Sequence, residues 1–272
     1  MNQYIHFENR VQEVELLHKE AVSAFLSRTP GDRDRGNALT RAGIVLLSGH
    51  FEGYLKAVLV EFVNAFNDRN LGFSGAPQEI CYRHIRGLLD GVQNGNSEAA
   101  TRLKNIFDGT GTLRIEARHF SNIESNPSVD VIESLFGQLG IPNVIEALTH
   151  EHYFESTFSL HSHFDGNMAN SVRKILRMHV PAEESLDALQ AEIARLIDSR
   201  WTPKQKRREV GYVAVIQNFL KLRNRIAHGD DALVTDVELE ENISSIRKLA
   251  HGISKRLDAH LESLSPERPK DE

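Results

Sequence analysis

The residues best suited to chemistry lie in one short stretch, Leu222-Arg223-Asn224-Arg225-Ile226-Ala227-His228-Gly229-Asp230. Arg223 and His228 frame an R-x4-H pattern, with the polar Asn224 straight after the arginine. A guanidinium keeps its charge and grips phosphate oxygens in a fork geometry. An imidazole titrates near neutrality and passes a proton either way. Brought together, the two can do phosphodiester chemistry. Asn224 would orient the histidine or bind a phosphate oxygen; the plainer alternative is a solvated helix residue.

Spacing limits how the pair can act. In an ideal helix, residues five apart point about 140° from one another, so one straight helix does not make them tight neighbours. Gly229 stands where the helix is expected to stop, which lets the chain turn at His228, and arginine has a long reach. The purely structural alternative puts Arg223 in an ion pair. His228 would then close the helix C-terminus, where a cationic imidazole suits the dipole.

The string resembles the defining motif of the HEPN superfamily, R-x4-6-H with Asn, Asp or His beside the arginine. Upstream, Leu46-Leu47-Ser48-Gly49-His50-Phe51-Glu52-Gly53-Tyr54-Leu55-Lys56 looks like the E-G-Y-x-K helix of the MAE_28990/RiboL-PSP branch. Leu135 to Pro142 adds a looser likeness. The resemblance implies an all-α, HEPN-like antiparallel helical bundle and a metal-independent endoribonuclease with no cofactor. The ribose 2′-OH would attack the adjacent phosphate, leaving a 2′,3′-cyclic phosphate and a 5′-OH. His228 would serve as general base or acid, and Arg223 would stabilise charge on the phosphate oxygens. The family solution is a homodimer whose two motif helices meet in a shared site. Such proteins act as toxins or phage-defence effectors in prokaryotes, which implies an antitoxin or defence-system partner. One branch carries H-x-Y, a tyrosine two after the histidine; here Asp230 stands there, so regulation through that tyrosine is unsupported. The alternative function is a non-catalytic HEPN scaffold that binds a protein or nucleotide partner.

Glu52 falls on a largely apolar helix, where a carboxylate is costly unless paired. Arg223 is its natural partner in a bundle, making Glu52 either a supporting, positioning residue or half of a structural ion pair. Lys204, Lys206, Arg207 and Arg208 open the motif segment, and with Lys221 and Arg225 they would form an RNA phosphate track. The plainer reading of such a run is a solvated face. Cations at a helix N-terminus are slightly unfavourable for the dipole, which hints at a reason other than stability.

The rival chemistry is a metal site. His150, His152, His161, His163 and His179 cluster in sequence, and His161-Ser162-His163-Phe164-Asp165 matches the H-x-H-x-D part of the metallo-β-lactamase signature. Gly166 departs from that signature, and no alternating strand set is present to build that fold. The expectation is that the protein holds no metal. No phosphate-binding glycine loop or dinucleotide fingerprint appears.

A 272-residue chain is one large domain or two small ones, long enough to bury a proper core. Its 40% hydrophobic and 26% charged residues fit an ordinary soluble globular protein. A net charge of −6 argues against tight, nonspecific coating of nucleic acid, although a local basic patch suffices for a nuclease that must release its product. No apolar run approaches the ~20 residues of a membrane span, and the N-terminus lacks the pattern of a secretory signal. The single Cys81 excludes an internal disulfide framework and a cysteine-based zinc cage. The expected compartment is therefore the cytoplasm.

Helices must position the motif. Periodicity predicts one from about Phe7 to Arg28, closed by Thr29-Pro30-Gly31-Asp32, and a long central one from Asn37 to Asp68. Gly49 and Gly53 would let another backbone approach that helix closely. Shorter helices are expected near Pro77–Val92, Glu98–Asp108, Val129–Leu139 and Asn143–His150, with a short strand at Leu113–Ala117. Further helices are expected over Ala182–Ser199, Lys204–His228 and Asp236–Leu264. The domain reading is a single HEPN-like helical domain over 1–264: an N-terminal helix pair in 1–70, an insertion over 71–180 and motif-bearing helices in 181–264. A disordered tail follows over 265–272.

Overall fold

In the computed structural model the described residues are 2–27, 29–111, 113–117, 120, 126–149, 211–230 and 232–264. Thr29 opens the longest helix: its hydroxyl accepts from the Asp32 N–H at 3.2 Å, and Pro30 occupies the first turn. Proline suits that position because its missing N–H would be unpaired there anyway. Asp32 places a carboxylate at the positive end of the dipole. These are the residues expected to close the first helix. They do end it, but they also start the next one, so the central helix begins seven residues before the expected Asn37.

All the regular structure among the described residues is helical: α1 (Gln3–Ser27), α2 (Pro30–Asp68), α3 (Gln78–Gln93), α4 (Ser97–Phe107), α5 (Val129–Gly137), α6 (Tyr212–Ala227) and α7 (Asp236–Ser263). A single 3-10 turn, Phe73–Gly75, follows α2. Residues 144–149 are also helical. The fold is all-α. The expected strand at Leu113–Ala117 is absent. Asn67 instead pairs with the backbone of Ile115, donating to its carbonyl and accepting from its N–H, both at 2.9 Å. One side-chain amide thus takes the place of a neighbouring strand.

The chain divides into two compact units, Met1–Val144 with Ile216–Glu272, and Ile145–Val215. In the first, α1, α2 and α7 pack pairwise. Contacts between α1 and α2 run from Glu20–Arg35 through Phe7–Tyr54 to Gln3–Glu61, which makes the two antiparallel. Contacts between α2 and α7 run from Thr40–Val234 through Tyr54–Ala250 to Arg69–Leu264, so those two lie parallel. The core between them holds Phe7, Val11 and Val14 of α1, Leu47, Phe51, Leu59 and Phe62 of α2, and Leu239, Ile246 and Ile253 of α7. Each large apolar side chain buried there stabilises the fold by about 1.5–3 kcal/mol.

Three polar anchors fix the register. Buried Tyr54 donates to the Ala250 carbonyl at 2.6 Å and lies 2.8 Å from the Ser254 hydroxyl. Arg69 donates to the Leu261 and Leu264 carbonyls, pairing groups that a helix end leaves open. Arg247 of α7 grips Glu8 at 3.0 Å and Glu15 at 2.8 Å on α1. Helix α7 itself begins with a capping box between Thr235 and Glu238.

Helix α2 also contains a window of 18 residues with mean hydropathy 1.3, long and apolar enough to cross a membrane, contrary to the expectation from sequence; 56% of that window is buried inside the protein. In the second unit, the Thr149 hydroxyl donates to the Ile145 carbonyl at 2.7 Å and accepts from the Tyr212 N–H at 3.1 Å. That contact pairs one of the open donors at the start of α6. It needs a glycine at 211, where a Cβ would fall 2.1 Å from the Thr149 methyl.

Candidate functional site

The motif occupies the last turn of α6 and the turn that stops it. The Asp230 N–H donates to the Arg225 carbonyl at 3.0 Å, and the Gly229 N–H donates to the Ile226 carbonyl at 3.1 Å. Gly229 has φ +82°. Together these form a Schellman motif with His228 at the C-cap, the place the sequence assigned to it. The His228 N–H still bonds the Asn224 carbonyl at 2.9 Å, so its backbone stays on the helical ladder while its side chain is exposed. A proton-transfer group there is open to a substrate.

Arg223 and Asn224 are half-buried and bonded to each other: Arg223 Nη1 donates to Asn224 Oδ1 at 3.0 Å. Asn126 Nδ2 donates to the same oxygen at 3.3 Å. Sequence reasoning missed Asn126, which lies 98 residues upstream of its partner, and nothing in its local pattern signals the contact. Lys221 and Arg225 are exposed, as a phosphate track requires. Arg225 lies 3.8 Å from Asp230 across the turn. Such an exposed pair contributes little to stability and yields readily to another anion.

Glu52 departs from its expected pairing. It bonds Lys56 at 2.8 Å, one turn along its own helix, and not Arg223. An i, i+4 glutamate–lysine pair is the local solution a helix offers, and it leaves no need for a distant cation. Both side chains keep about a third or less of their exposure, at 27% and 32%. Among the described residues, a Cβ built on Gly49 or Gly53 meets nothing within 4 Å. Beside them His50 is buried, with Nε2 3.3 Å from the Glu13 carboxylate. That nitrogen meets no hydrogen-bond geometry with it, so the contact is a close approach. Burial lowers the His50 pKa below its ordinary value; the Glu13 carboxylate opposes the shift and Arg10 adds to it.

Lys204, Lys206, Arg207 and Arg208 lie outside the described residues, as do His150, His152, His161, His163, Asp165 and His179. Among the described residues no group of His, Cys, Asp and Glu is arranged to hold a metal ion. The described site therefore consists of a cationic fork, a carboxamide and an exposed imidazole on one helix end. That set can bind an anion and exchange a proton beside it.

Comparison with known proteins agrees with the motif. The family model described as RiboL-PSP-HEPN matches residues 5–259. No curated protein and no solved structure shows significant similarity to the chain. With the match running through α1, α2, α6 and nearly all of α7, the chain belongs to the RiboL-PSP-HEPN family.

Proposed function

We propose that the protein is a metal-independent endoribonuclease whose site is Arg223, Asn224 and His228. Family membership supports a ribonuclease or nucleotide-related role. The observation that carries the finer reading is the helix end itself, where the Schellman turn leaves the His228 side chain exposed one turn beyond the half-buried, mutually bonded Arg223–Asn224 pair.

The reaction follows from those groups. A base removes the proton of the ribose 2′-OH, whose oxygen bonds to the adjacent phosphorus as the P–O5′ bond breaks. An acid then protonates the departing 5′ oxygen. His228 performs one of these proton transfers, and the Arg223 and Asn224 donors hold the nonbridging oxygens as charge builds on them. One exposed imidazole supplies one proton-transfer group; a homodimer with two α6 ends facing each other supplies the second. The nucleophile is part of the RNA, so no metal-activated water is required. A toxin or phage-defence role with an antitoxin or defence partner fits such an enzyme, as does a cytoplasmic RNA substrate.

His228→Ala tests the proposal. The variant should keep wild-type helicity and lose RNA cleavage, with wild-type products ending in 2′,3′-cyclic phosphate. Cleavage at the wild-type rate would make the motif structural and favour the scaffold reading.

A further inference from the structure

The Asn224 side chain is gripped from two sides. Its Oδ1 accepts from Arg223 Nη1 at 3.0 Å and from Asn126 Nδ2 at 3.3 Å. A guanidinium has only donors, so the atom facing it must be the carbonyl oxygen. Turning the amide over would set its NH2 against two other donors. The orientation is therefore fixed, and among the described residues nothing bonds the Asn224 Nδ2 hydrogens.

Asn126 is itself held in place. Its carbonyl accepts from the Ser128 N–H at 2.7 Å, and the Ser128 hydroxyl caps α5 by accepting from the Val131 N–H at 3.3 Å. Buried Pro127 stands between them and restricts the backbone of Asn126. Helix α5 is anchored by Ile132 and Phe136, both at 0% exposure. A rigid line thus runs from the core through α5 to the motif.

We propose that Asn126 is a positioning residue for the α6 motif. It holds the Asn224 amide so that the Asn224 donors and the remaining Arg223 donors face the same phosphate. This rests on the reading of Arg223, Asn224 and His228 as an RNA-cleaving site. The residue type fits the role, because an aspartate at 126 would offer Asn224 no donor and would draw the Arg223 guanidinium to itself.

A double-mutant cycle with a phosphate-binding readout tests it. Asn126→Ala should lower kcat/KM for RNA cleavage about tenfold, the value of one oriented hydrogen bond. Asn126→Asp, close in shape, should lose at least as much. On an Asn224→Ala background, Asn126→Ala should cost nothing further, because the two act through one amide. Separately, titrating the full chain with inorganic phosphate should move the Asn224 side-chain amide resonances of the wild type, and this response should vanish in Asn126→Ala. If the wild type does not cleave RNA but the phosphate response behaves as stated, the cleavage reading fails and the positioning role stands. Full activity and an unchanged phosphate response in Asn126→Ala would overturn the role, as would additive losses in the cycle.

Discussion

Arg223 and Asn224, adjacent in sequence, are bonded through Nη1 and Oδ1 at 3.0 Å, so the motif supplies its own partner for the guanidinium. Glu52 is occupied by Lys56. Among the described residues the arginine is therefore held by a neutral group, and no carboxylate pairs with it there, which leaves its charge for a phosphate. A carboxylate in the same place would compete with the substrate.

This arrangement separates stability from activity. Arg223→Ala should abolish RNA cleavage yet leave the urea midpoint close to wild type, because among the described residues no buried carboxylate loses its partner. Glu52→Gln should cost only about 0.2–0.5 kcal/mol, the value of an i, i+4 pair. Combining the two should bring no recovery of folding. A marked rescue of Arg223→Ala stability by Glu52→Gln would mean that the two side chains do interact.

Gly229 is the residue on which the placement of His228 depends. At φ +82° a side chain strains the backbone, so Gly229→Ala should destabilise by about 1–2 kcal/mol. Gly229→Asn should cost less, since asparagine tolerates the left-handed region. Both are measurable by thermal unfolding, and cleavage should fall in the same order. Equal melting temperatures in all three proteins would show that the Schellman turn does not form in solution.

Much of this was legible in the sequence, for identifiable reasons. Long amphipathic stripes such as Val11, Val14 and Ala21 on α1, or Ile243, Ile246 and Ile253 on α7, advertise helices because their faces are buried. The R-x4-H string and Gly229 marked the helix end that carries the candidate site, because a helix end has local chemistry. Thr29-Pro30 was harder, since the same residues both stop one helix and start the next. Leu113–Ala117 alternates like a strand but pairs with a side chain, and periodicity cannot reveal that. The Asn126–Asn224 bond joins residues 98 apart, and the Glu52–Lys56 pair replaced a distant contact with a nearer one. Tertiary choices of this kind leave no mark in a local pattern.

Acid should weaken the fold through buried His50 and half-buried His84 and His260. His50, His84 and His260 all have pKa values lowered from the ordinary 6.5, in each case chiefly by burial. The unfolded chain takes up protons near that value while the folded chain does not, so stability is full above it and falls as pH drops below it. His260 lies 3.0 Å from the Leu139 carbonyl and stacks on Phe62. Thermal unfolding should show a falling midpoint from about pH 7.5 to about pH 5.5. His260→Gln should flatten that slope, and an unchanged slope would remove His260 from the account.

Metal dependence separates the motif from the histidine-rich segment. Cleavage through Arg223 and His228 should persist in excess chelator, and the products should carry 2′,3′-cyclic phosphate ends. Activity lost in chelator and restored by zinc or manganese would move the active site elsewhere. Loss of that activity in His161→Ala or His163→Ala would place it in the H-x-H-x-D stretch.

The open face of α2 bears on assembly. Gly49 and Gly53 each weaken a helix interior by roughly 0.5–1 kcal/mol relative to alanine, yet among the described residues nothing lies within 4 Å of a Cβ built on either one. If that face were bathed in solvent, Gly53→Ala would raise the melting temperature and change nothing else. The expectation here is a symmetric homodimer that uses the close approach two glycines allow. Light scattering on the wild type at micromolar concentration should give about twice the chain mass. Gly53→Leu should shift the protein to monomer and abolish cleavage, while its circular dichroism stays helical. A Gly53→Leu variant that cleaves RNA normally would exclude this face from the shared site. A wild type that is active as a strict monomer would exclude the shared site altogether.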